Sequence, residues 1–88
     1  MIILDPNKMT GKQVRRIVDK AVKERVKLGK KASLNEFYRV SGMSSMHMSR
    51  LSRNASRAGL LTIEKVAHGL RSWGYRVDVR KIVIRFDV

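Results

Sequence analysis

The stretch Leu34–Arg53 reads LNEFYRVSGMSSMHMSRLSR, and its spacing predicts two short helices folded about a turn at Gly42. A glycine closing a periodic run is a common left-handed helix stop, because it has no Cβ to make a positive φ costly. Ser33 stands before the first helix with Glu36 in the N3 position, the arrangement of a capping box. Ser44 is placed to cap the second helix. Within that second helix, about 100° per residue sorts the side chains onto two faces. Met48, Leu51 and Ala55 fall on an inward stripe, and Ser45, Met46, Ser49, Arg50 and Arg53 share the outward side. His47 lies on the flank between them, where packing or solvent is expected. An apolar back with serines, a methionine and arginines in front suits an element that enters a duplex groove.

Toward the N-terminus, Thr10 and Gln13 fit a capping box that opens a longer helix. Val14, Ile17, Val18, Ala21, Val22 and Leu28 give it an inward face, and Gly29 is its expected stop. Its outer face carries Lys12, Arg15, Arg16, Lys20, Lys23, Arg25 and Lys27, followed by Lys30 and Lys31. Most of these read as a solvated face. Lys30 and Lys31 differ, because they precede the N–H groups of a serine-capped helix start, a natural seat for phosphate. Further back, Ile2, Ile3 and Leu4 are closed by Asp5-Pro6-Asn7, which is either a short strand ending in a turn or a frayed terminus.

Toward the C-terminus, Asn54–Gly59 is a polar loop containing Arg57. Thr62 is the expected start of a fourth helix, in which Ile63, Val66, Ala67, Leu70 and Trp73 form one buried stripe that Gly74 ends. The period then switches to two with Tyr75, Val77 and Val79. It resumes in the opposite phase with Ile82, Ile84, Phe86 and Val88, which implies a bulge or a tight turn at Arg80-Lys81. Neither glycine nor asparagine is present there to favour a two-residue hairpin, so the bulge is preferred.

Bulk properties bound the function. Eighty-eight residues make one domain, and 20 Lys and Arg against 7 Asp and Glu give a net charge of +13 and a pI near 11.2. That field favours a polyanion, with nucleic acid ahead of an anionic membrane surface or an acidic protein. The chain has no cysteine, so thiolate metal sites and disulfides are excluded. His47 and His68 sit on different predicted helices. Asp5, Asp19, Glu24, Glu36, Glu64, Asp78 and Asp87 form no close pair, and no phosphate-cradling glycine loop or nucleophile motif occurs. The expectation is a protein that is not an enzyme, needs no cofactor or metal, lacks a membrane span and a secretory signal, and resides in the cytoplasm. Two Phe, two Tyr and one Trp are too few for a base-stacking platform, which argues against single-strand coating.

Leu34–Arg53 resembles the DNA-binding helix-turn-helix of the Cro and phage-repressor superfamily, also called XRE-like. Phe37 falls where that family packs an apolar residue, Gly42 and Met43 match its turn, and Met48 and Leu51 match the core positions of its recognition helix. The segment LLTIEKVAHGLRSWGYRVDV resembles the next family helix and the extended segment after it, so the likeness covers roughly Lys12 to Val79. Tyr38 departs from it, since the family usually has alanine or glycine there, where helices two and three approach closely; its ring must lie aside or the two helices must open slightly. The resemblance implies a mainly α fold, a four-helix domain of lambda-repressor-like type spanning 1–88, with a C-terminal β-strand or β-ribbon over 75–88 that can pair with a short N-terminal strand. Ser45, Met46, Ser49 and Arg50 would then read bases, and Lys30, Lys31, Ser33, Asn35, Ser44, Arg53, Asn54 and Arg57 would hold phosphates. Ile82, Ile84 and Phe86 are too apolar for an exposed edge. They are expected to pair with Ile2–Leu4 or with a second copy, giving a homodimer. The functional expectation is a transcriptional repressor on a pseudo-palindromic operator in double-stranded DNA. The alternative is an antitoxin whose basic surface binds an acidic toxin.

Overall fold

A computed structural model describes residues 1–53 and 57–80. The elements run β1 (Ile2–Leu4), α1 (Gly11–Lys27), α2 (Leu34–Ser41), α3 (Ser45–Arg53), α4 (Leu60–Ser72) and β2 (Val77–Val79). The result is a small, mainly helical domain with a short strand pair.

Helix α1 starts where its capping residues dictate. Thr10 Oγ1 accepts from the Gln13 N–H at 3.3 Å, and Gln13 Oε1 accepts from the Thr10 N–H at 2.9 Å. Val14, Val18 and Ala21 are buried, and Gly29 takes the left-handed conformation at φ 73°. Leu28, expected on the inward face, is 71% exposed. The helix ends at Lys27, so Leu28 is the cap residue and no longer follows the helical projection that would turn it inward. Arg25, expected outside, turns inward. Its guanidinium lies 4.8 Å from the centre of the Trp73 ring, and Nη1 donates to the Trp73 carbonyl at 3.2 Å. It thereby satisfies an end carbonyl of α4, although its Nε is buried without a partner among the described residues.

The core gathers Leu4, Val14, Val18, Phe37, Met48, Ile63, Val66 and Leu70, all fully buried. Helices α2 and α4 close on each other at Gly69. A Cβ on Gly69 would lie 2.8 Å from Phe37 Cε2 and 2.8 Å from Ser41 Cβ, closer than carbon atoms pack. Phe37 and Trp73 meet edge to face, with ring centres 5.2 Å apart. Helix α4 begins two residues before the expected start. Gly59 is its N-cap and supplies no side-chain bond, while Thr62 sits in the first turn and is buried.

The strand reading of Ile2–Leu4 holds, and Leu4 is fully buried. β1 pairs in parallel with β2, in the register Ile2↔Val77, Ile3↔Asp78 and Leu4↔Val79. Parallel partners require a crossover connection, and here all four helices lie between the two strands. One edge of Ile2–Leu4 is therefore taken by Val77–Val79. Ile82, Ile84 and Phe86, and the choice between bulge and turn at Arg80-Lys81, lie outside the described residues. The Tyr75 hydroxyl ties the segment before β2 to α1, donating to Glu24 Oε2 at 2.9 Å. Among the described residues, no helix is long and apolar enough to cross a membrane.

Candidate nucleic-acid interface

The turn between α2 and α3 follows from three local facts. Gly42 takes φ 76°, and its N–H donates to the Tyr38 carbonyl at 3.0 Å. The buried Ser41 hydroxyl accepts from the Met43 N–H at 3.3 Å, and Met43 is buried. Ser44 then caps α3 by accepting from the His47 N–H at 3.1 Å. Tyr38 is half-buried and packs against the core.

Three anchors fix the orientation of α3. Met48 and Leu51 bury its back. Arg15, which also pairs with Asp19 at 3.0 Å, reaches the Met48 carbonyl at 3.5 Å, the outer limit of a hydrogen bond. His47 is half-buried, with Nε2 2.9 Å from Thr62 Oγ1 on α4. This explains both the flank position of His47 and the burial of Thr62. Neither partner stands out in the sequence, because a lone threonine near a helix start reads as a cap. Thr62 in fact occupies N3 and turns its hydroxyl to a neighbouring helix.

The front of α3 is open. Met46 is 63% exposed, Ser45, Arg50 and Arg53 are exposed, and Ser49 is half-buried. Met46, Ser49, Arg50 and Arg53 line one shallow concavity, with Ser45 outside it at the start of the helix. Arg53 donates to Ser49 Oγ at 3.0 Å, which presets one arginine against the helix. Arg50 has no hydrogen-bond or ion-pair partner among the described residues. Its guanidinium is a planar fork of N–H donors, the geometry that suits the edge of a guanine.

The expected phosphate contacts divide. Lys30, Lys31, Ser33, Asn35 and Ser44 are exposed around the starts of α2 and α3. Ser33 Oγ accepts from the Glu36 N–H at 3.1 Å, but the second half of the expected capping box is absent. The Glu36 side chain instead pairs with Arg39, whose hydrogen bond holds its carboxyl below the ordinary glutamate range. Arg57 is exposed but engaged, donating to the Asn7 carbonyl at 3.1 Å, while its backbone bridges Thr10. It ties the loop before α4 to the loop before α1. Asn54 lies outside the described residues. Among the described residues, no cluster of three or more His, Asp or Glu side chains is arranged to hold a metal ion.

No protein-family model, curated protein or solved structure matches the chain.

Proposed function

We propose that the protein is a sequence-specific double-stranded DNA-binding regulator of the helix-turn-helix type, whose helix α3 enters the major groove. The observation that carries this reading is the front of α3. Met46, Ser49, Arg50 and Arg53 form one exposed surface on a helix whose back is buried and whose N-terminus is capped, in a chain of net charge +13. Arg50 would supply the main polar reading, bidentate to guanine, and Met46 the apolar contact to a thymine methyl. Ser45 and Ser49 would donate to bases or phosphates. Arg53, already bonded to Ser49, suits backbone anchoring. Lys30, Lys31 and the start of α2 would seat a phosphate beside the groove.

The resemblance to phage repressors supports a repressor that binds a pseudo-palindromic operator as a homodimer, with half-sites about 34–36 Å apart. Selection of bound sequences from a random duplex pool tests specificity and symmetry together. A palindromic consensus is the expected result, and recovery of unrelated sequences at equal affinity would overturn the reading. Purified Arg50→Ala should lose about 1–3 kcal/mol of discrimination at one position of each half-site.

A further inference from the structure

A second charged surface lies on α1. At about 100° per residue, Lys12, Arg16, Lys20, Lys23 and Lys27 fall within an arc of about 80°. No other residue of α1 projects into that arc. The arc is centred opposite Val14, Val18 and Ala21, the buried side of the helix, and all five cations are exposed. Basic residues are 20 of the 88, so an arc holding no other residue type is not what composition alone produces.

The acids of α1 do not neutralise the stripe. Asp19 is bonded to Arg15, and Glu24 accepts from the Tyr75 hydroxyl. None of the five cations makes an ion pair among the described residues. The stripe is about 22 Å long at 1.5 Å per residue. Past the end of α1 the same charge continues through Lys30 and Lys31 to the capped start of α2.

The chemistry of the stripe selects its partner. A protein interface needs an apolar centre, and the arc contains no apolar side chain. Membrane-surface binding needs the apolar face of the helix free, whereas that of α1 is buried in the core. Single strands need aromatic platforms, which the arc lacks. Regular, flexible cations with nothing between them suit the phosphate backbone of a duplex.

We infer that the outward stripe of α1 is a second phosphate-binding surface, which takes the backbone of the same duplex beyond the groove entered by α3, without regard to base sequence. The inference rests on the groove-docking reading for where the duplex begins. A duplex seated at Lys30 and Lys31 already lies at one end of the stripe. The flanking DNA is then at high effective concentration, whereas a second duplex would need a separate encounter.

The test is the salt dependence of binding by the full chain to random-sequence duplexes of about 12 and about 30 base pairs, one helical turn and roughly three. The wild type is compared with a variant carrying Lys12→Gln, Arg16→Gln, Lys20→Gln, Lys23→Gln and Lys27→Gln. At about 0.9 per phosphate contact, the slope of log K against log salt should fall by about 3 to 4.5 on the long duplex and by less than about 1 on the short one. The five positions are exposed, and circular dichroism checks that the variant is folded. If it is not, the triple variant Lys12→Gln, Lys20→Gln, Lys27→Gln decides, with an expected fall of about 2 to 3 on the long duplex. An unchanged slope on the long duplex, or equal losses on both lengths, would overturn the inference. So would wild-type protein that joins two labelled short duplexes in sedimentation when the variant does not, because the stripe would then hold a second duplex. Arg50→Ala separates the two ideas. If it behaved like wild type on every sequence, base reading by α3 would fail, while the length-dependent salt slope would still report on the stripe.

Discussion

Replacing Gly69 with alanine should destabilise the protein, although alanine is the better helix former. In an open helix the exchange would gain about 0.8–1.0 kcal/mol. Here the new methyl would meet Phe37 Cε2 and Ser41 Cβ at 2.8 Å and Phe37 Cζ at 2.9 Å. Carbon atoms prefer about 3.5–4.0 Å, so α2 and α4 would have to separate by about 0.7 Å or the Phe37 ring would have to turn. Neither is easy, because Phe37 is fully buried and packed edge-on against Trp73. Overpacking of this kind costs about 1–3 kcal/mol, which leaves a net loss of about 1 kcal/mol after the propensity gain. In a chain of this size that lowers Tm by about 4–8 °C. Urea and thermal unfolding followed by far-ultraviolet circular dichroism measure it directly. Combining Gly69→Ala with Phe37→Leu removes two of the three short contacts, so the double variant should show a favourable coupling of at least about 0.5 kcal/mol. A Gly69→Ala protein as stable as the wild type, or more so, would refute the close-approach argument.

Other outcomes follow from the anchors of the fold. Thr62→Val keeps the shape but removes the partner of His47 Nε2, and should cost about 1 kcal/mol in urea unfolding; no loss would mean that the bond contributes nothing to stability. Arg25→Ala should cost about 1–2 kcal/mol through the lost Trp73 stacking and carbonyl bond. Arg25→Met, which keeps a long apolar stem on the ring and removes the buried Nε, should recover part of that loss in the same melts. Burial, and then the hydrogen bond to the Glu24 carboxylate, push the Tyr75 phenol above its ordinary value. The unfolded chain therefore releases this proton first, near pH 10. The contribution is fully present below that pH and is lost as pH rises through the folded pKa. Tyr75→Phe should flatten the alkaline limb of a stability–pH profile, and an unchanged limb would count against this linkage.

Where local chemistry and helical period agreed, the elements were legible in the residues themselves. The Thr10–Gln13 box, the Gly42 turn, the Ser44 cap and the Met48–Leu51 back of α3 each state their conformation within a few positions. Contacts between distant segments were not legible in this way. Arg25 looks like one more cation on a basic helix until Trp73, far along the chain, is brought beneath it. Thr62 has the composition of a cap, and only the proximity of His47 reveals its other use. Gly69 carried a signal that could have been read, since a glycine inside a strong helical pattern is costly unless something packs closely against it. In the candidate site, the outward positions of α3 could be assigned from helical projection alone. The Arg53–Ser49 bond, which sets Arg53 apart from Arg50, is not visible in helical projection.

The parallel pairing of Ile2–Leu4 with Val77–Val79 also bears on when the domain can form. Leu4 reaches its place in the core beside a strand that is synthesised more than seventy residues later. Contacts of such separation close late, because the loop entropy must be met before they contribute. On a ribosome, the helices can collapse on one another as they emerge. Ile2–Leu4 must wait for Val77–Val79 before the strand pair can form. A nascent chain halted before Val77 would therefore leave Leu4 without its strand partner.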